Sequence, residues 1–119
     1  MNPHETRSMD GSQTLQSVVQ GLAAHGDRPA ILAVGPEACR TWSYAELTDA
    51  AMRLAQGLME FGVAPGEPVA LLAANRPEWI VVRLALIAAG ALAVPVDDLI
   101  TDADLQRVVS DSGCRRVFT

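Results

Sequence analysis

The stretch P-V-A-L-L-A-A-N-R-P-E-W-I-V-V-R-L-A-L-I-A-A-G-A-L-A-V-P-V, residues 68–96, decides the fold class. Its two ends, 68–73 and 91–96, are continuously apolar rather than alternating, which is the pattern of parallel strands covered on both faces. Between them Asn75 and Pro77 stop one element and open the next, proline being tolerated in the first turn of a helix. The segment from about Glu78 to Ala89 then reads as a helix, closed by Gly90. A membrane span over Trp79–Val96 is the competing reading of these apolar residues. Arg83 near its centre, Gly90 and Pro95 argue against it, because a spanning helix needs about twenty uninterrupted apolar residues.

Downstream, Thr101 caps a helix carrying Asp102 and Asp104 where the helix dipole favours negative charge. That helix is expected to bury Leu105, Val108 and Val109 before Gly113 and a last strand at 115–118. Residues 68–118 therefore read as β-α-β-α-β, half of a doubly wound sheet. Upstream, Ser43 and Glu46 have capping-box spacing, so a helix follows with Leu47, Ala51, Leu54, Leu58 and Phe61 as its apolar stripe. Asp49 and Arg53 stand four apart on its wet side. Two short strands at 30–34 and 40–42, separated by Gly35-Pro36-Glu37, form a hairpin. Thr14 precedes a first helix over 15–25, with Leu15, Val18, Val19 and Leu22 on one face. Residues 1–13 lack periodicity and are expected to form a mobile tail.

The fold class is thus α/β: an N-terminal β-hairpin plus a βαβαβ parallel half-sheet flanked by helices. The helix over 78–89 is apolar almost all round, which calls for cover on several sides, unless its many small alanines overstate the need.

Composition narrows the chemistry. The 119 residues carry nine basic and 14 acidic side chains, net −5, and all the basic ones are arginine. Without lysine the chain alone can make neither a P-loop nor a Schiff base. The acidic balance makes binding to nucleic acid through its phosphates improbable. Cys39 and Cys114 stand far apart with no metal-ligand spacing, and no signal segment precedes them, so the compartment is read as cytoplasmic.

The order of short motifs resembles the N-terminal part of the adenylate-forming (AMP-binding) superfamily, most of all acyl-CoA synthetases of the long-chain fatty acid–CoA ligase type. The carrying blocks are D-R-P-A-I at 27–31, R-T-W-S-Y-A-E-L at 40–47, G-V-A-P-G-E-P-V-A-L-L at 62–72 and N-R-P-E-W at 75–79. A-G-A-L-A-V-P-V-D at 89–97 and D-S-G-C-R-R-V-F-T at 111–119 complete them. The resemblance implies a parent enzyme that joins a carboxylate to AMP from ATP, then passes the acyl group to a thiol such as coenzyme A. It implies ATP, Mg²⁺ and coenzyme A as the parent's cofactors, none of them bound by this chain. The family's phosphate loop, a Ser/Thr/Gly-rich run ending in lysine, would lie beyond Thr119. Residues 14–119 are accordingly expected to be a subdomain ending before that loop, inert alone. Its partner would be the remainder of the parent enzyme, or a second copy through exposed apolar surface. The alternative is a stand-alone, non-catalytic interaction or assembly module of the same ancestry. The acid, whether fatty, aryl or amino, is left open.

No catalytic, cofactor-binding or metal-binding residue is assigned. Asp97-Asp98 follow a strand at the end where open α/β sheets hold ligands, and a carboxylate pair there suits Mg²⁺ or acid–base work. A solvated turn into the Thr101 cap accounts for them better. Asn75 reads as a helix cap, His25 as a helix-terminal residue and His4 as part of the tail. Cys114 reads as a buried small hydrophobe and Cys39 as a hairpin residue, while Trp42 and Trp79 read as packing residues rather than platforms for adenine.

Overall fold

The computed structural model describes residues 14–72 and 76–119. In chain order they form α1 (Leu15–Gly21) continued by a 3-10 turn (Leu22–His25), then β1 (Pro29–Val34), β2 (Cys39–Ser43) and α2 (Tyr44–Phe61). These are followed by β3 (Pro68–Leu72), α3 (Pro77–Ala88), β4 (Leu92–Val96), α4 (Asp102–Ser112) and β5 (Arg116–Phe118). β1 and β2 make an antiparallel two-stranded sheet, and β4-β3-β5 a separate parallel sheet in that order. This is the α/β arrangement read from 68–118, with the hairpin ahead of it. Among the described residues no helix is long and apolar enough to cross a membrane. The expectations placed on the tail at 1–13, on His4 and on Asn75 lie outside the described residues.

Alternation along β3 divides the core. Val69 and Leu71 face one side, packing with Ala55 and Leu58 of α2 and with Ala85 and Leu86 of α3. Ala70 faces the other, where Val96 and Cys114 join it beneath Leu105, Val108 and Val109 of α4. Alanine at 51, 55 and 85, all fully buried, lets α2 and α3 approach closely over the sheet. Burying a side chain such as Leu86 contributes about 1.5–3 kcal/mol.

Caps set the element boundaries. The Ser43 hydroxyl accepts from the Glu46 N–H at 3.0 Å, and the Glu46 carboxylate accepts from the Ser43 N–H at 3.3 Å, which is the capping box expected there. Thr14 and Ser17 form an equivalent reciprocal pair at the start of α1. Gly62 ends α2 at φ 110°, a left-handed conformation that residues with a Cβ adopt only under strain. Gly90, at φ 82°, also lies where an added Cβ would meet the Gln16 side-chain nitrogen at 3.3 Å.

Several expectations are corrected. α1 ends at Gly21 and tightens into a 3-10 turn rather than running to His25. Of its expected face only Val19 is buried, while Leu15 and Val18 are exposed, because α1 lies across α3 with Gln16 donating to the Ala88 carbonyl at 3.2 Å. Phe61 is exposed at the end of the α2 stripe, with the Arg116 guanidinium 5.5 Å from its ring centre. Leu105, Val108 and Val109 are half-buried, since among the described residues α4 is the one helix over that face of the sheet. β4 is not covered on both faces along its length: as an edge strand it leaves Leu92 and Pro95 exposed. Much of the cover that α3 calls for comes from the chain itself, from α2, α1 and the sheet, and only Glu78, Ile80 and Arg83 of this helix are exposed.

Candidate functional cleft

β3 and β4 run parallel and end side by side, with Leu72 in register with Val96. α3 starts beside those ends behind Arg76 and Pro77, and the hairpin strand β1 flanks them. The space enclosed is an open cleft of about 790 Å³, in the range of small-molecule sites. Leu32, Val34 and Ile80 give it apolar walls, and Arg76, Arg83 and Asp97 line it with charge. It occupies the carboxyl end of the strands, where open α/β sheets place ligands.

Asp97 and Asp98 both reach this cleft, yet the Asp97 carboxylate is already engaged. Its Oδ1 accepts from the Leu99 N–H at 2.9 Å and its carbonyl from the Ile100 N–H at 3.1 Å, closing the turn that leads to Thr101. Thr101 in turn caps α4, its hydroxyl accepting from the Asp104 N–H at 3.2 Å. Among the described residues no group of three or more His, Cys, Asp or Glu side chains is placed to hold a metal ion. One Asp97 oxygen thus serves the turn, and the chain has no lysine to place on a nucleotide's phosphates.

The remaining candidates are dispersed. His25 ends the 3-10 turn with its ring 4.9 Å from that of Tyr44. Cys39 is exposed on the hairpin, and Cys114 is buried with its sulfur accepting from the Ser112 hydroxyl at 3.1 Å. Trp42 is buried against Leu47 and Val81, with the Arg40 guanidinium 4.0 Å from its ring centre. Trp79 packs against the α2–α3 core and lines the cleft.

At the opposite, amino end of the strands lies a charge pair with no signal in the sequence. Arg116 of β5 donates to Glu67, just ahead of β3, across 49 positions of chain. This hydrogen bond is the largest of the influences that hold the Glu67 carboxyl below its ordinary value, with the Ala64 N–H donating to it as well. No spacing rule connects residues so far apart, and topology alone brings them together.

The family pattern described as AMP-binding enzyme matches residues 19–119. The chain belongs to this AMP-binding enzyme family. Relatives at the sequence level include surfactin synthase subunit 2 of Bacillus subtilis, 35% identical over 76% of this chain and 2% of that protein. An acyl-CoA ligase of Ajellomyces capsulatus is 29% identical over 71% of this chain and 14% of its own length. Among solved structures, the Klebsiella oxytoca NpsA N-terminal subdomain in complex with 3-hydroxyanthranilyl-AMSN superposes with a TM-score of 0.78 at 26% identity. It matches 86% of this chain, which covers 25% of that one. The fatty acid AMP ligase of Legionella pneumophila gives a TM-score of 0.77 at 30% identity, with 87% of this chain and 19% of that one covered. The AMP-binding fold is thus present here over a small share of each relative's length.

Proposed function

We propose that these residues form an N-terminal part of the body of an AMP-forming ligase, which activates a carboxylic acid as its adenylate and transfers the acyl group to the thiol of coenzyme A. The observation that carries the reading is the family match over 19–119, on a chain covering a quarter or less of the relatives described above. The chain's own contribution is scaffold: the parallel sheet, its helices and the cleft at the strand ends. ATP, Mg²⁺ and coenzyme A would be held by other parts of such an enzyme, and the proposed compartment is the cytoplasm. Coenzyme A as acceptor draws support from the Ajellomyces ligase and from the feruloyl-CoA synthase of an Amycolatopsis species, 39% identical over 60% of this chain.

A carrier-protein thiol is the second reading. It is favoured by a fatty acid–[acyl-carrier-protein] ligase of Streptomyces coeruleorubidus, 31% identical over 87% of this chain. Exchange of labelled pyrophosphate into ATP, run with a panel of fatty, aryl and amino acids, tests both. Residues 1–119 should give no exchange, and the polypeptide extended along its reading frame should exchange with one class of acid. Thioester formation with coenzyme A or with a carrier protein then separates the two acceptors. Exchange by residues 1–119 alone would overturn the assignment of a scaffold role.

A further inference from the structure

The turn ahead of β3 ties together the amino ends of all three parallel strands. Within it the Glu67 N–H donates to the Ala64 carbonyl at 3.0 Å, and Glu67 Oε1 accepts from the Ala64 N–H at 3.2 Å. Toward β4 the ties are main-chain: the Gly66 N–H donates to the Gly90 carbonyl at 2.8 Å, and the Glu67 carbonyl accepts from the Leu92 N–H at 2.9 Å. Toward β5 the tie is a side-chain one, Glu67 Oε2 accepting from Arg116. The Arg116 guanidinium also lies against the end of α2, 5.5 Å from the Phe61 ring centre and 3.5 Å from where a Cβ on Gly62 would stand.

β5 has the weaker backbone hold. It pairs with β3 over three residues where β4 pairs over five, and among the described residues it is an edge strand. The Glu67 side chain is 15% exposed and that of Arg116 31%, so the pair is partly sheltered from the solvent that weakens surface ion pairs. Arg116 and Phe118, two positions apart, share the face turned toward α2 and α3. A slip of one residue would carry both to the other face. At the carboxyl end Phe118 lines a small cavity of about 80 Å³ with Arg76 and Trp79, and these two residues also line the large cleft.

We propose that Glu67 and Arg116 are a positioning pair: their hydrogen bond locks the register of β5 and, through Phe118, sets the part of the cleft wall made by Arg76 and Trp79. The consequence for catalysis rests on the proposed function above, whereas the lock itself belongs to residues 1–119.

Amide hydrogen exchange in residues 1–119 reads the lock. Arg116→Met should speed exchange of the β5 amides that bond β3 by about 10-fold or more, as for loss of a hydrogen bond to a charged group, while the β4 amides keep their rates. Glu67→Gln should act in the same direction, and the double variant should be no faster than the faster single, because the two residues act through each other. β4 and β5 amides speeding together, or β5 amides staying protected in both single variants, would overturn the lock. In the polypeptide extended along its reading frame, Arg116→Met should lower kcat for pyrophosphate exchange about 10-fold with KM for the acid unchanged, the mark of a displaced wall. Arg116→Lys, which keeps the charge and a donor, should recover most of that loss. A loosened β5 with full kcat would overturn the positioning role and leave the ligase reading standing. No pyrophosphate exchange by the unaltered extended chain would overturn the ligase reading instead, with β5 protection in residues 1–119 still deciding the lock.

Discussion

β1 and β3 are strands of the same kind in sequence, P-A-I-L-A-V and P-V-A-L-L, each opening with proline and apolar on both faces. Their fates differ. In β3, flanked by β4 and β5 and covered by helices on both sides, Val69, Ala70 and Leu71 are 0–2% exposed. In β1, at the edge of a two-stranded sheet, Leu32 and Val34 are mostly exposed. A strand's apolarity reports the environment it is built for, and only β3 has that environment within these residues. β3 lies inside a packed core, whereas among the described residues the hairpin has one face packed and one edge open.

The sharpest way to break this contrast is to truncate each side. Leu86→Ala, in the core over β3, should cost about 2–5 kcal/mol, read as a lower midpoint of urea unfolding. Ile31→Ala, half-buried on the hairpin, should cost clearly less, and equal losses would erase the distinction drawn between the two regions. Ser43 joins them, ending β2 and capping α2. Ser43→Ala should cost about 0.5–2 kcal/mol, with the loss appearing in helix content by circular dichroism.

The Glu67–Arg116 pair gives a smaller effect with a definite pH signature. The Glu67 pKa is lowered in the folded chain, so its contribution is fully present above the unfolded carboxylate value and is lost as pH falls through the folded one. Acid should therefore destabilise the wild type more steeply than Arg116→Met, and unfolding midpoints measured from neutral pH downward check it. Smallest of all, Leu32→Glu or Val34→Glu in residues 1–119 should shift stability by no more than about 0.5 kcal/mol, as for substitutions at exposed positions.

Much of this architecture is legible in the sequence because local signals and tertiary placement agree there. The Ser43–Glu46 box, the Gly62, Gly90 and Gly113 terminators and the unbroken apolar runs each specify their element by short-range chemistry. What is not legible depends on chain brought together from afar. The exposure of Leu15, Val18 and Phe61 follows from how α1 crosses α3 and where α2 ends relative to β5, and neither is written in helical periodicity. The Glu67–Arg116 pair has the same origin. The cleft was legible only through Asp97-Asp98 at a strand end. The arginine and β1 walls could not be foreseen, since Arg83 reads merely as an interruption of an apolar helix and β1 as half of a hairpin.

Titration of Mg²⁺–ATP into residues 1–119 by calorimetry tests most directly the claim that they supply the scaffold of an AMP-forming ligase and not its nucleotide site. The expected trace is flat, equal to the heat of dilution. Saturable binding, competed by AMP, would contradict the account and move the nucleotide site into the cleft between β1 and α3.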